Sequence, residues 1–217
     1  MAGDFNWVQN NRITPVKYQG TCGSCYAIAV LESMLLILNP FRYSRINLSE
    51  QQIIDCTYGK NFGCEGGHPI YVFDYLQKYR SVSDNVYPYT GKLQFCDKLT
   101  VQINGIISVK SQVYGYTTQA ASLLKIVQQQ PVAIAVNAYN VVFQGYKKGI
   151  VNSELYCKGE VDHAVALVGY GQQNGTKYWI IKNSWGTNWG ESGYIRIEMR
   201  DGNGICNMNT DITVAYL

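Results

Sequence analysis

Cys22 and Cys25 stand three apart in "QGTCGSCYAIAV" (residues 19–30), and no other pair in the chain offers more chemistry. A C-x-x-C pair can exchange thiol for disulfide, give half of a zinc site, or divide into one structural cysteine and one nucleophile. Each reading needs different company. A redox pair needs a strand before it in a compact βαβ unit, and "ITPVKYQGT" is a poor buried strand, although a helix after Cys25 would suit that chemistry. A zinc site needs a second ligand pair at short spacing, which neither "CTYGKNFGC" nor the lone histidines His68 and His163 supply. A nucleophilic thiol needs a distant histidine and a polar group to orient it. "VDHAVALVGYG" supplies His163 and "YWIIKNSWGTNWG" supplies Asn183, 138 and 158 residues after Cys25.

The elements that position these groups are read from periodicity. Ser24 is an N-cap for a helix whose apolar positions Ile28, Leu31, Leu35 and Leu38 recur at three and four, with Asn39-Pro40 as its stop. Cys25 then lies in the first turn, where the positive end of the helix dipole favours thiolate over thiol. Ser49 and Gln52 in "SEQQIIDC" make a capping-box pattern for a second helix, and "IYVFDYLQKYR" from Ile70 predicts a third packed in the same layer. A fourth, "QAASLLKIVQQQ", ends at Pro131. Beyond it the apolar residues turn β-branched or aromatic in short runs: "PVAIAV", "HAVALVGYG", "KYWIIKNSW", "GYIRIEM" and "DITVAY". "QQNGT" adds an Asn-Gly turn that predicts a hairpin. A helical lobe followed by a β lobe would leave a site in the cleft between them.

Composition narrows the function classes. The chain has 217 residues, 47% of them hydrophobic, enough for one large domain or two small ones packed together. A net charge of +3 without runs of like charge gives no handle for nucleic acid or a membrane surface. The longest apolar stretch, "IAVLESMLLIL", is interrupted by Glu32 and Ser33 and is too short to span a bilayer. "MAGDFNWVQ" carries no signal-peptide pattern. Seven cysteines, with sequons at Asn47 and Asn174, fit maturation in an oxidising compartment, and the odd count leaves one thiol to explain if six pair.

"QGTCGSCY", the "VDHAV" histidine and the "NSWG" and "NWG" segments together resemble the papain family of cysteine peptidases. "ITPVKYQG", "LSEQQIIDC", "GCEGGHP", "YPYTG" and "GYIRI" extend the resemblance over nearly the whole chain, toward cathepsin L-like members and the amoebic proteinases that share the Cys25-Tyr26 pair. Tyr26 stands where Trp is usual, and Asn6 where Asp is common; neither removes a catalytic group. The resemblance implies an α+β, two-lobed fold: a helical left lobe over about 12–112, a β-barrel-like right lobe over 113–208, and terminal segments crossing between them. It implies an endopeptidase, because the paired histidines of exopeptidase occluding loops are absent.

By the same resemblance Cys25 is the nucleophile and His163 the general acid and base. Asn183 orients the imidazole, Trp185 shields that bond, and Gln19 with the backbone N–H of Cys25 receives the oxyanion. Cys22 pairs with Cys64, Cys56 with Cys96 and Cys157 with Cys206, leaving Cys25 free. Gly66 and Gly67 form a cleft edge for extended peptide. His68, Pro69, Ala135, Val161, Asp162 and Ala164 belong to the substrate site. Asp211 falls at the floor of the pocket for P2, the substrate residue two before the cleaved bond, where an acid would admit Arg or Lys beside apolar residues. The alternative is that Asp211 is an exposed residue before the last strand.

Implied partners are protein and peptide substrates, the enzyme's own propeptide and cystatin-like inhibitors, acting on a monomer. No metal and no organic cofactor are implied, no nucleic-acid partner and no membrane insertion. The expected setting is lysosomal, vacuolar or secreted. The family is made as zymogens, and no propeptide is read before Asp4. Two rivals are a thiol-disulfide oxidoreductase, which would carry a reducible Cys22–Cys25 bond, and a non-catalytic binding relative, which would have lost a catalytic residue.

Overall fold

The structure, a computed structural model, describes residues 4–9, 13–38, 46–153, 157 and 159–216, with the side chains of 35–38 excepted. The expected stop at Asn39-Pro40 and the expected lobe boundary at residue 12 lie outside the described residues. The described strands are β1 (Phe5–Asn6), β2 (Ser111–Gly115), β3 (Val132–Val136), β4 (Ile150–Val151), β5 (His163–Gln173), β6 (Thr176–Lys182), β7 (Tyr194–Glu198) and β8 (Ile212–Tyr216). The helices are α1 (Cys25–Leu38), α2 (Glu50–Cys56), α3 (Pro69–Leu76), α4 (Lys98–Asn104), α5 (Ala120–Val127) and α6 (Val141–Gln144). Of these, α4, α6, β1, β2 and β4 were not among the expected elements.

Helix α1 is central. Its apolar spacing predicts one buried stripe, yet Tyr26 through Met34 are buried on every face, Glu32 and Ser33 included. The reason is that α1 lies between α2 and α3 on one side and β3 and β5 on the other. Ala133 and Ala164 meet it from the strands, and their small side chains let the helix approach the sheet. Tyr26 suits this position: its hydroxyl donates to the Gly63 carbonyl at 3.0 Å, and burial pushes its pKa well above the usual range.

The capping box at α2 forms only by half. Ser49 Oγ accepts from the Gln52 N–H at 3.0 Å, as the pattern predicts. The Gln52 side chain does not reach back: its amide donates to the Tyr75 hydroxyl and the Arg80 carbonyl, and its oxygen accepts from the Val82 N–H. Val82 returns a carbonyl to the Ser49 N–H at 3.0 Å, so a tertiary pairing replaces the local one.

The strands form one sheet in the order β2-β8-β3-β5-β6-β7-β4, with β1 added to β5. It is open, with β2 and β4 at its ends. The expected hairpin joins β5 to β6: Gln173 pairs with Thr176 across Asn174 and Gly175, whose φ values of 50° and 83° fit a type I′ turn. One apolar cluster gathers around Trp179, Phe143, Leu167 and Ile195, and another around Tyr26, Leu31, Met34 and Phe73.

Between these clusters lies a charged bolt. Lys182, at the end of β6, places Nζ 2.8 Å from a carboxylate oxygen of Glu32 on α1, both side chains being buried. The same ammonium donates to the Thr14 carbonyl at 2.8 Å and hydroxyl at 3.1 Å, and that hydroxyl donates to Glu32. Lys17 and Glu50 form a second pair nearby. The three disulfides join Cys22 to Cys64, Cys56 to Cys96 and Cys157 to Cys206, as the resemblance implies, and Cys25 is free. They fit maturation in an oxidising compartment. Among the described residues no helix is long and apolar enough to cross a membrane.

Candidate active site

Cys25 is the first residue of α1, so its backbone N–H is one of the donors that a helix start leaves unpaired within the helix. Ser24 sits just before it. Its carbonyl accepts from the Ala27 and Ile28 N–H groups. Burial alone would push the Cys25 thiol up, but the charge and hydrogen bond of His163, with the backbone N–H groups of Ala164 and Tyr26, bring its pKa below the ordinary thiol value. Burial would lower the His163 pKa, and here the thiolate of Cys25, the hydrogen bond to Asn183 and the charge of Asp162 raise it. Each group stabilises the charged form of the other.

His163 opens β5, where its backbone is in register with Val136 of β3. Its Nε2 lies 2.7 Å from Oδ1 of Asn183. The same Oδ1 accepts the Ser184 backbone N–H at 2.8 Å, which fixes the side-chain amide with oxygen facing both donors. Nε2 therefore carries a proton, and Nδ1 is the nitrogen left for Cys25. Trp185 covers the imidazole with ring centroids 4.9 Å apart, and Phe143 and Trp189 pack against Trp185 in turn.

Gln19 is brought to the same place. Its amide nitrogen donates to the Cys22 carbonyl at 3.0 Å, and its oxygen accepts from Ser184 Oγ at 2.6 Å. A carbonyl can only accept, so the NH2 end faces Cys22 and keeps a second N–H for another acceptor. Tyr89 locks this segment to the helix start: its hydroxyl donates to the Gln19 carbonyl at 2.8 Å and pairs with Ser24 Oγ at 2.9 Å.

The Cys22–Cys64 bond draws the 64–67 loop beside Cys25. Gly66 adopts φ 115°, a conformation that disfavours a side chain, and a Cβ at Gly67 would collide with the Asn61 amide. The two glycines differ in how their backbones are paired. The Gly66 carbonyl already accepts from the Phe62 N–H at 2.9 Å, whereas the backbone of exposed Gly67 pairs with none of the described residues.

The remaining pocket residues converge in part. Ala135 and Ala164 are paired across β3 and β5, the Ala135 N–H donates to the Asp211 carbonyl at 2.9 Å, and Pro69 is the first residue of α3. Asp211 is buried, which excludes the exposed alternative. Its Oδ2 is 2.7 Å from His68 Nε2 and 3.4 Å from the Tyr114 hydroxyl. Val161 is half-buried two residues before His163. The Asp162 carboxylate accepts from the N–H groups of Ala138 and Tyr139, at 2.7 and 3.0 Å.

The family model described as papain family cysteine protease matches residues 1–216. The chain belongs to the papain family of cysteine proteases. Cysteine endopeptidase Rep1 of Oryza sativa subsp. japonica is 38% identical over 208 residues, covering 94% of this chain and 55% of that protein. Germination-specific cysteine protease 1 of Arabidopsis thaliana is 38% identical over 194 residues, covering 89% and 51%. The chain thus spans about half the length of these curated relatives. The structure of bromelain from Ananas comosus in complex with E64 superposes with a TM-score of 0.91 at 34% identity, over all of both chains. The proform of Amb a 11, a ragweed pollen cysteine protease, gives 0.92 at 32% identity, covering all of this chain and 66% of that one. These neighbours carry the papain-like two-lobed α+β fold.

Several residues of this papain-family site had no assigned role in the sequence reading. Ser184 and Trp189 lie inside "NSWGTNWG" and Tyr89 inside "YPYTG", so the motifs contained them without showing what they touch. Phe143 and Tyr114 carry no local signal, because the contacts that matter are tertiary: Phe143 meets Trp185, and Tyr114 meets Asp211.

Proposed function

We propose that this chain is the catalytic region of a cysteine endopeptidase that cleaves peptide bonds through a Cys25 thioester. The observation that carries the reading is a free Cys25 at the start of α1 together with a His163 whose Nε2 is held by Asn183. The Cys25 thiolate attacks the carbonyl carbon, and the carbonyl π electrons move to oxygen. That oxyanion is received by the Cys25 backbone N–H and the second amide N–H of Gln19. Collapse expels the amine as the imidazolium delivers its proton to the leaving nitrogen, and the thioester remains. Water then attacks, His163 accepts its proton, and Cys25 leaves as thiolate.

In this reading the lobes divide near residues 12–112 and 113–208, and substrate lies between them. Gly67 supplies the main-chain edge. Pro69, Ala135, Ala164 and Val161 form the apolar walls of the P2 pocket, and buried Asp211 is its acidic floor, so Arg and Lys are accepted beside apolar residues. The relatives' greater length and the proform of Amb a 11 support maturation of a longer precursor with an inhibitory propeptide, in a lysosome-like or secreted setting. Cystatin-like inhibitors would occupy the same cleft. A redox role for Cys22 and Cys25 is disfavoured, since Cys22 is bonded to Cys64.

The test is labelling with an epoxide peptide inhibitor of the E-64 type, followed by mass spectrometry of the modified peptide. One adduct on Cys25 is expected. An unmodified Cys25 in folded protein overturns the reading.

A further inference from the structure

His68 joins α3 to Asp211 in a way that sets which ring nitrogen accepts and which donates. Its Nδ1 accepts the Ile70 backbone N–H at 3.2 Å, capping α3, so that nitrogen carries no proton while the cap holds. The remaining nitrogen, Nε2, carries the proton of the neutral ring and donates it to Asp211 Oδ2 at 2.7 Å. The Asp211 side chain is only 9% exposed, and its other oxygen, Oδ1, is buried with no hydrogen-bond partner among the described residues. A neutral donor on Oδ2 and nothing on Oδ1 leave the carboxylate's negative charge uncompensated.

The other groups around the ring do not alter that balance. From β2, Tyr114 sets its ring 5.3 Å from the imidazole, and its hydroxyl donates to Oδ2. Burial and the Asp211 charge raise the Tyr114 pKa, which keeps that hydroxyl protonated. From α3, Tyr71 lies 6.3 Å away, with the Lys60 ammonium 5.5 Å from the Tyr71 ring. The Asn61 side-chain oxygen meets His68 at the backbone, accepting its N–H, and not at the ring.

We propose that His68 is a specificity-determining gate on the P2 pocket: neutral, it leaves Asp211 to attract a cationic P2 side chain; protonated, it neutralises Asp211 and removes that attraction. The proposal rests on the reading of Asp211 as the pocket floor. A second proton can enter only at Nδ1, where it displaces the Ile70 N–H, so charging the ring also uncaps α3. The imidazolium and the carboxylate then form an ion pair, and a guanidinium has to displace a cation instead of a neutral donor. Selection for Arg should therefore rise with pH.

The experiment measures kcat/KM for peptides with Arg or its uncharged isostere citrulline at P2, from pH 5 to pH 8. Taking the ratio cancels the titration of the Cys25–His163 pair, which both substrates share. In the wild type the Arg-to-citrulline ratio should rise about tenfold, the scale of one hydrogen bond to a charged group. In His68→Asn, whose amide oxygen can take the Ile70 N–H in place of Nδ1, the ratio should stay high and flat. In Asp211→Asn it should stay low and flat. A flat wild-type ratio that Asp211→Asn still lowers overturns the gate and leaves the acidic floor standing. A ratio unchanged by Asp211→Asn at every pH overturns the floor itself. The chain has only two histidines, so ring-nitrogen NMR provides a check that needs no variant. In its neutral form His68 should show the Nε2–H tautomer, and an Nδ1–H tautomer overturns the gate.

Discussion

Asn183 holds its side-chain oxygen 2.7 Å from Nε2 of His163, and the Ser184 backbone N–H occupies the same oxygen at 2.8 Å. The amide cannot rotate without losing both bonds, so the imidazole is fixed with Nδ1 toward Cys25. Removing it frees the ring but leaves both reacting groups. Asn183→Ala should lower kcat by about 10², whereas Cys25→Ala should abolish turnover. Equal losses in the two variants would show that Asn183 does more than orient.

The ion pair sets the pH profile. Each group shifts the other toward its charged form, so a thiolate-imidazolium form should exist between an acid and an alkaline limb. As pH falls through the lowered thiol pKa, both turnover and alkylation by iodoacetamide should fade. As pH rises through the raised imidazole pKa, turnover should fade while alkylation persists, since the thiolate remains and only the proton for the leaving amine is gone. Asn183→Ala removes one bond that favours imidazolium and should move the alkaline limb to lower pH.

Gln19→Ala tests the oxyanion assignment. With its oxygen on Ser184 and one N–H on Cys22, the amide is aimed before substrate arrives. Its loss should cost about 10² in kcat with little change in KM, as for a donor used mainly in the transition state. A change confined to KM would make Gln19 a ground-state contact.

What the sequence disclosed follows from how local each signal is. The β5–β6 hairpin rests on Asn174-Gly175 alone, and the α2 start on Ser49, so both are found where expected. Strand β2 escaped because "SQVYG" shows no alternation: most of its residues face solvent, and pairing to β8 defines it. Helix α4 is short, set by an Asp97 cap and largely exposed, with only Val101 buried. In the site, spacing and family resemblance locate Cys25, His163 and Asn183. The His68–Asp211 bond spans 143 residues and joins two residues that the resemblance places in one pocket without showing that they touch. Glu32 reads as an interruption of an apolar helix because its partner, Lys182, lies on a distant strand.

That pair yields the last prediction. Glu32 is two turns along α1 from Cys25, and Lys182 immediately precedes Asn183, so their contact ties the helix that begins at Cys25 to the strand that leads into Asn183. Both side chains are only 2% exposed, so neither charge can be solvated by water when the other is removed. Glu32→Leu should destabilise the fold by about 3–5 kcal/mol, because it leaves the ammonium buried with only Thr14 as acceptor. Lys182→Met should be similarly costly through the abandoned carboxylate. The double variant Glu32→Leu/Lys182→Met removes both charges and keeps apolar volume, so it should recover much of the loss. Urea unfolding of the four proteins with disulfides intact gives the coupling energy. Additive single losses, with no recovery in the double variant, would mean that each residue is held by Thr14 and its surroundings and that the ion pair is incidental.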